Sequence, residues 1–179
     1  MINKDNLVNY FFEGIKPIDQ LKIGVEHEKF ILNKTTHKPL SYSGENGIKD
    51  ILQHLSKLNW DPIFDDNGDT LIALKKGREA ITLEPGGQLE LSGAPLNNIH
   101  ETCEETTNHL NALKHIGEKF NFIMLGLGVE PNLRLEDFPW MPKQRYIIMK
   151  KYMQQVGSLG QHMMKRTCTS QVNIDYYSE

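Results

Sequence analysis

Two glutamates of Glu26-His27-Glu28 stand two residues apart, and on a strand that spacing sends both carboxylates to one side, about 6 to 7 Å apart along the chain. Like charges held this way call for a cation. Hard carboxylate oxygens suit Mg²⁺, which commonly binds a few carboxylates together with the phosphate oxygens of a nucleotide. A solvated strand face of alternating charge explains the same three residues equally well. A second constellation runs from Thr82 to Ser92. Glu84 precedes Pro85-Gly86-Gly87, a break at which backbone can approach a ligand closely, and Gln88 and Glu90 then project together from the next strand. A hairpin with polar outer positions accounts for the glycines, but not for Glu, Gln, Glu and Ser recurring among apolar partners.

Two further stretches offer recognition chemistry. Met141-Pro142-Lys143-Gln144-Arg145-Tyr146 reads as a loop-to-helix junction presenting a guanidinium, suited to bidentate capture of a carboxylate or phosphate; a surface Arg at a helix end is the plainer reading. Hydroxyls and amides at Thr167, Thr169, Gln171 and Asn173 could fix an amino-acid substrate, or simply form a wet sheet face. Other machinery is missing: no G-x-x-x-x-G-K-[ST] loop occurs, Gly126-Leu127-Gly128 lacks a third glycine because Pro131 stands in its place, and His27-Glu28 is followed by Lys29, Phe30 and Ile31 instead of the H-E-x-x-H of zinc hydrolases. Phosphate binding would therefore run through metal.

The elements that must position these groups can be read from periodicity. Residues 22–32 alternate as a strand, with Val25, His27 and Lys29 on one side and Glu26 and Glu28 on the other. Ile48, Ile51, Leu52, Leu55 and Leu58 predict a helix over 44–59. Segments 71–74 and 79–84 flank Lys75-Lys76-Gly77-Arg78 as a hairpin with a longer than minimal loop, and 88–92 follows as a short strand. Ile99, Cys103, Leu110, Leu113 and Ile116 predict a helix over 97–120, acidic early and basic late as its dipole favours. A buried strand is expected at 122–127, a proline-rich loop at 130–142, a helix at 145–156 and a strand at 167–177. Cys103 falls on the apolar stripe and Cys168 on a packed strand face, so both read as core residues. Hairpins in place of regular βαβ alternation predict an α+β fold, a largely antiparallel sheet with helices on one face.

Composition bounds the rest. The chain has 179 residues, 39% of them hydrophobic and 24% charged, with 20 Lys and Arg against 23 Asp and Glu for a net charge of -3. One compact unit is the default. No basic run supports a nucleic-acid partner, no apolar stretch is long enough to span a membrane, and no targeting signal is visible. With only two cysteines, a reducing, cytoplasmic setting is the expectation.

Taken together, Gly24 to Phe30 (GVEHEKF), Leu83 to Leu96 (LEPGGQLELSGAPL), Ile99 to Glu104, Met141 to Met149, Tyr152 to Gly160 and Met163 to Asp175 (MMKRTCTSQVNID) resemble the glutamate–cysteine ligases of the plant and proteobacterial type, in family order over nearly the whole chain. The resemblance implies the catalytic sheet of glutamine synthetase, an antiparallel half-barrel, with residues 1–179 forming the N-terminal portion of a single domain whose C-terminal part is missing. It implies that Glu26, Glu28, Glu84 and Glu90 are the catalytic, Mg²⁺-binding carboxylates, that Arg145 holds substrate glutamate, and that Gln88, Trp140, Thr169, Gln171 and Asn173 shape the substrate pocket. The implied partners are L-glutamate, L-cysteine and ATP. ATP would convert the γ-carboxylate of glutamate to an acyl phosphate with release of ADP, and the amine of cysteine would then displace phosphate from it, the first step of glutathione synthesis. Two other readings stay open: a non-catalytic half that binds metal or amino acid, and a related carboxylate–amine ligase with another acceptor.

Overall fold

The computed structural model describes residues 2–178. Its centre is β1 (Ile23–Asn33), whose 11 residues pair with three other strands. β2 (Asp61–Phe64), β3 (Leu71–Lys76), β4 (Glu79–Leu83) and β5 (Leu89–Ser92) form an antiparallel meander that brings β5 against β1. β6 (Phe122–Leu125) pairs with the C-terminal half of β1 and β7 (Ser170–Ile174) with its N-terminal half. The order is β2-β3-β4-β5-β1-β6, with β7 also on β1, and every pairing is antiparallel. This is the mixed fold with an antiparallel sheet that the hairpin pattern predicts. Pro62 lies in edge strand β2, where a missing backbone donor is tolerated.

One face of the meander is apolar. Leu74, Ile81, Leu83 and Leu89 point to it and are 0 to 1% exposed. α2 (Ile48–Leu55) and α3 (Ile99–Phe120) cover it, with Ile51, Leu52, Leu55, Leu113 and Ile116 in the same core. The helical stripe of α3 departs from the apolar reading. Its buried positions are Thr102, His109, Leu113, Ile116 and Gly117, while Ile99 and Cys103 are exposed. Residues 102, 109, 113 and 116 are separated by 7, 4 and 3, so they share one helix face; Cys103 is one residue off that line and is corrected from core to surface. Cys168 is buried as expected, and burial pushes its thiol up to about 12.

The opposite face is not uniformly polar. In the C-terminal half of β1, Phe30 and Leu32 form a second small core with Phe138 and Cys168, supported by Ile123, Leu125 and Leu133. The proline-rich loop thus seals one end of that face.

Four other features were not foreseen or differ in detail. The hairpin joining β3 and β4 is tight, with Lys76 opposite Glu79 and Gly77 at φ +59°, a left-handed conformation that glycine adopts without a Cβ penalty. α1 (Lys4–Glu13) is capped by Asn3 yet buries no residue, so no apolar stripe announces it. α4 (Gln144–Val156) is followed by α5 (Gly160–Arg166), a short helix the sequence reading did not separate. The segment after α1 is stitched to the end of β7: Lys16 Nζ donates to Asp175 at 2.5 Å, the Lys22 N–H donates to the other Asp175 oxygen at 3.0 Å, and the Tyr176 hydroxyl donates to the Phe11 carbonyl. Among the described residues, no helix is long and apolar enough to cross a membrane.

Candidate functional site

The polar face is built by strand register. Glu28 lies opposite Glu90, which lies opposite Thr82. One pair further along, Glu26 lies between Ser92 and Gln171, and Gly24 faces Asn173. Directly opposed residues on antiparallel strands share a face, so Glu26, Glu28, Glu90, Gln171 and Asn173 all project to the side away from the main core. Each carboxylate has a neutral donor. The Asn173 amide donates to Glu26 at 2.8 Å; the Thr169 backbone N–H and hydroxyl donate to the two oxygens of Glu28 at 3.0 and 2.9 Å; the Thr82 hydroxyl donates to Glu90, which is only 8% exposed. Among the described residues, none of the three forms an ion pair with a cationic side chain.

Glu84 arrives from β4 just before the turn. Gly86 is needed here because a Cβ would lie 2.6 Å from the Lys165 carbonyl oxygen of α5. The Pro85 carbonyl accepts the Met141 N–H at 3.0 Å, which draws the start of the α4 junction against the same turn. Lys143 and Tyr146 then both donate to the Leu83 carbonyl, at 2.7 and 2.5 Å, and the Tyr146 hydroxyl stands 3.5 Å from Glu84 Oε1. Arg145 donates to the Tyr146 hydroxyl at 2.9 Å and reaches to 3.7 Å from Glu84. Burial, reinforced by the charges of Glu90 and Glu28, pushes the Glu84 carboxyl up to about 7, against the opposing pull of Lys143 and Arg145. Burial lowers Lys143 to about 8, with Arg145 acting in the same direction.

The structure therefore gathers Glu28, Glu84 and Glu90 into one electrostatic neighbourhood, with Arg145 at its edge and Glu26 beside Asn173 and Gln171. It does not close them around an ion: among the described residues, no group of three His, Cys, Asp or Glu side chains is arranged to hold a metal. The donor set itself fits a hard cation: its oxygen ligands carry surplus negative charge, and the charges of Glu90 and Glu28 add to burial in raising the Glu84 carboxyl.

Two expected residues are placed elsewhere. Gln88 is 2% exposed and acts as a brace: its amide nitrogen donates to the Thr167 and Met164 carbonyls at 2.8 and 3.3 Å, and its oxygen accepts the Gly86 N–H at 2.9 Å. With those groups engaged, it holds the turn against α5. Trp140 packs on the main core, with Lys150 and Lys165 ammonium groups 5.0 and 4.9 Å from its ring; it borders a separate cavity of about 310 Å³ with Ile147 and Lys150. The residues missed in sequence are Lys143 and Tyr146. Both lie within the quoted MPKQRY stretch, but only the folded turn shows that they converge on one carbonyl. A cavity of about 480 Å³ adjoins Lys143 and Arg145 and is also lined by Asp65, Asp66 and Asn67.

Comparison with known proteins decides the family. The model described as Glutamate-cysteine ligase family 2 (GCS2) matches residues 22–179. The chain belongs to this family. It is 48% identical to glutamate–cysteine ligase A, chloroplastic, of rice (Oryza sativa subsp. japonica), over 99% of this chain and 35% of that protein. Identity is 45% to glutamate–cysteine ligase, chloroplastic, of Medicago truncatula, and 44% to that of Arabidopsis thaliana, covering 99% of this chain and 34% and 33% of those proteins. The chain thus spans about a third of the length of the curated ligases it matches. The cytoplasmic expectation is overturned by these names: the ligases this chain is similar to are chloroplastic proteins.

Proposed function

We propose that this chain supplies the metal- and glutamate-binding part of a glutamate–cysteine ligase, which joins the γ-carboxyl of L-glutamate to the amine of L-cysteine at the expense of ATP. The observation that supports it most is the pairing of an uncompensated carboxylate face with a guanidinium at its edge: Glu28, Glu84 and Glu90 influence one another while Arg145 stands 3.7 Å from Glu84. The family's name supports the same reaction, the first step of glutathione synthesis. In this reading residues 1–179 form the N-terminal portion of one glutamine synthetase-like catalytic domain, and the antiparallel sheet is part of its half-barrel.

Glu26, Glu28, Glu84 and Glu90 would hold Mg²⁺. When bound, Mg²⁺ neutralises phosphate oxygens and stabilises the charge that develops as the γ-carboxylate is phosphorylated. The chain's own groups have distinct tasks. Arg145 offers a planar fork to a substrate carboxylate, and the Tyr146 hydroxyl fixes the direction of that fork. Thr169, Asn173 and Thr82 orient the carboxylates of Glu28, Glu26 and Glu90, and Gln171, bonded to Asn173 at 3.1 Å, extends the amide surface toward an amino-acid substrate. Glutamate held beside ATP lets its acyl phosphate meet the cysteine amine at near-attack distance.

The test is a coupled assay of ADP and γ-glutamylcysteine from ATP, glutamate, cysteine and Mg²⁺, alongside calorimetric titration of glutamate and Mg²⁺ into the chain. Product formation that requires all four components is the expected result. Binding without turnover identifies the chain as a non-catalytic half, an outcome its one-third coverage of the relatives makes specific. ADP release driven by an amine other than cysteine assigns a different acceptor. Absence of both binding and turnover overturns the reading.

A further inference from the structure

The cavity of about 480 Å³ is lined by two segments of opposite charge. Lys143 and Arg145 come from the start of α4, and Asp65 and Asp66, with Asn67, come from the loop that joins β2 to β3. Although all four charged residues border one space, neither aspartate forms an ion pair with Lys143 or Arg145. The two signs are held apart. Lys143 is only 8% exposed, and its one side-chain hydrogen bond, at 2.7 Å, goes to a neutral acceptor, the Leu83 carbonyl. An ammonium carries three donors, and a buried charge without a counter-ion is costly. Arg145 spends one nitrogen on the Tyr146 hydroxyl and comes no nearer than 3.7 Å to Glu84, which leaves most of its fork free.

The loop is a closed turn. The Asp65 N–H donates to the Thr70 carbonyl at 2.9 Å, an Asp65 carboxylate oxygen accepts the Thr70 N–H at 3.2 Å, and the Asp65 carbonyl accepts the Gly68 N–H at 2.8 Å. Gly68, at φ +79°, makes the reversal without a Cβ penalty. Asp65 therefore shapes the loop, while the exposed Asp66 carboxylate next to it has no such duty and remains available. The charges restrict what can fill the space. A simple anion would suit Lys143 and Arg145 but be repelled by the aspartates, and a simple cation would meet the reverse. A small molecule that carries both signs on neighbouring atoms satisfies both segments, and an α-amino acid is such a molecule.

We propose that the loop joining β2 to β3 reads the α-ammonium group of the glutamate substrate, with Asp66 as its acceptor, while Arg145 and Lys143 take the α-carboxylate and the γ-carboxylate is left toward Glu84. This rests on the ligase reading and deepens it: the substrate carboxylate assigned there to Arg145 becomes the α-carboxylate, and Asp66 becomes a specificity-determining residue. Its task is selection. A dicarboxylate that lacks the amine leaves Asp66 facing surplus negative charge and is disfavoured for that reason.

The experiment is isothermal titration of L-glutamate and of glutarate, which keeps both carboxylates and lacks the ammonium, into the purified chain and its Asp66 variants. The unaltered chain is expected to prefer glutamate. Asp66→Asn, at an exposed position, should weaken glutamate about two- to fivefold, the size of one exposed charge contact, and leave glutarate unchanged or tighter. Asp66→Lys should reverse the preference. A loop that is merely structural would lose both ligands alike, so parallel weakening overturns the proposal, as does glutamate affinity unchanged in both variants. In either of those outcomes the unaltered chain still binds glutamate and the ligase reading stands. Absence of glutamate binding by the unaltered chain overturns the proposal together with the glutamate assignment on which it rests.

Discussion

The strands β1, β4 and β5 serve two faces with opposite physics. On one, Ile81, Leu83 and Leu89 are packed in the core with α2 and α3; on the other, Glu28, Glu84 and Glu90 crowd together, met by hydroxyl and backbone donors and by Arg145 3.7 Å from Glu84. Adjacent residues of a single strand therefore do opposite things: Leu89 stabilises the fold, and Glu90 strains it by adding negative charge beside Glu84. A face held in like-charge tension is poised for a cation, whereas the apolar face needs nothing further.

The sharpest way to break this contrast is to substitute neighbours. Leu89→Ala should cost about 2 to 5 kcal/mol of unfolding free energy, the range for emptying a buried leucine site. Glu90→Gln should change it by no more than about 1 kcal/mol, and in the stabilising direction near neutral pH, because a repulsive charge is removed while a hydrogen-bonding group remains. Urea unfolding of both variants measures the pair; a Glu90→Gln loss as large as that of Leu89→Ala would erase the distinction.

The two faces should also respond to pH with opposite sign. The Glu84 carboxyl is raised from 4.5 to about 7 on folding; its contribution is complete below 4.5 and is lost as pH rises through about 7. His109 is lowered from 6.5 to about 4, chiefly by burial, with the Lys29 and His27 charges adding to it; its contribution is complete above 6.5 and is lost as pH falls through about 4. Each effect should amount to about 1 to 3 kcal/mol. Stability measured against pH should flatten on the alkaline side in Glu84→Gln and on the acidic side in His109→Gln.

Smaller still is Arg145→Lys, which should leave unfolding within about 0.5 kcal/mol because the side chain is 62% exposed, yet raise the glutamate concentration needed for half-maximal binding roughly tenfold, since an ammonium lacks the planar fork. An unchanged glutamate isotherm would remove Arg145 from the pocket. Smallest is Glu118→Gln, which breaks the exposed pair with Lys34 at 3.1 Å; it should alter stability by less than about 0.5 kcal/mol, read from the same urea titrations.

What could be read in the sequence follows from where burial leaves a period. The β1 alternation put Glu26 and Glu28 on one side and His27 and Lys29 on the other, and the register with β5 and β7 repeats that division. α2 announced itself because its buried positions are apolar. α3 misled for the converse reason: its buried line runs through Thr102 and His109, so choosing the apolar residues shifted the inferred face toward Cys103. α1 left no stripe because it buries nothing. At the candidate site, spacing along one strand could pair carboxylates, but the convergence of Lys143 and Tyr146 on the Leu83 carbonyl joins positions 60 and 63 residues apart, and no local period records such a meeting. Gln88 shared the alternation of Glu90 yet was taken up by α5, a helix not separated in the sequence reading.

Asp175 grips both Lys16 and the Lys22 amide, so the strand bearing Gln171 and Asn173 is moored by chain 159 and 153 residues upstream. Trimming the leader through Lys16 would slacken that mooring at its far end, and the disturbance would surface at the Asn173 amide and the Glu26 carboxylate it steers. A stretch that buries almost nothing can thus set how firmly the polar face keeps its shape.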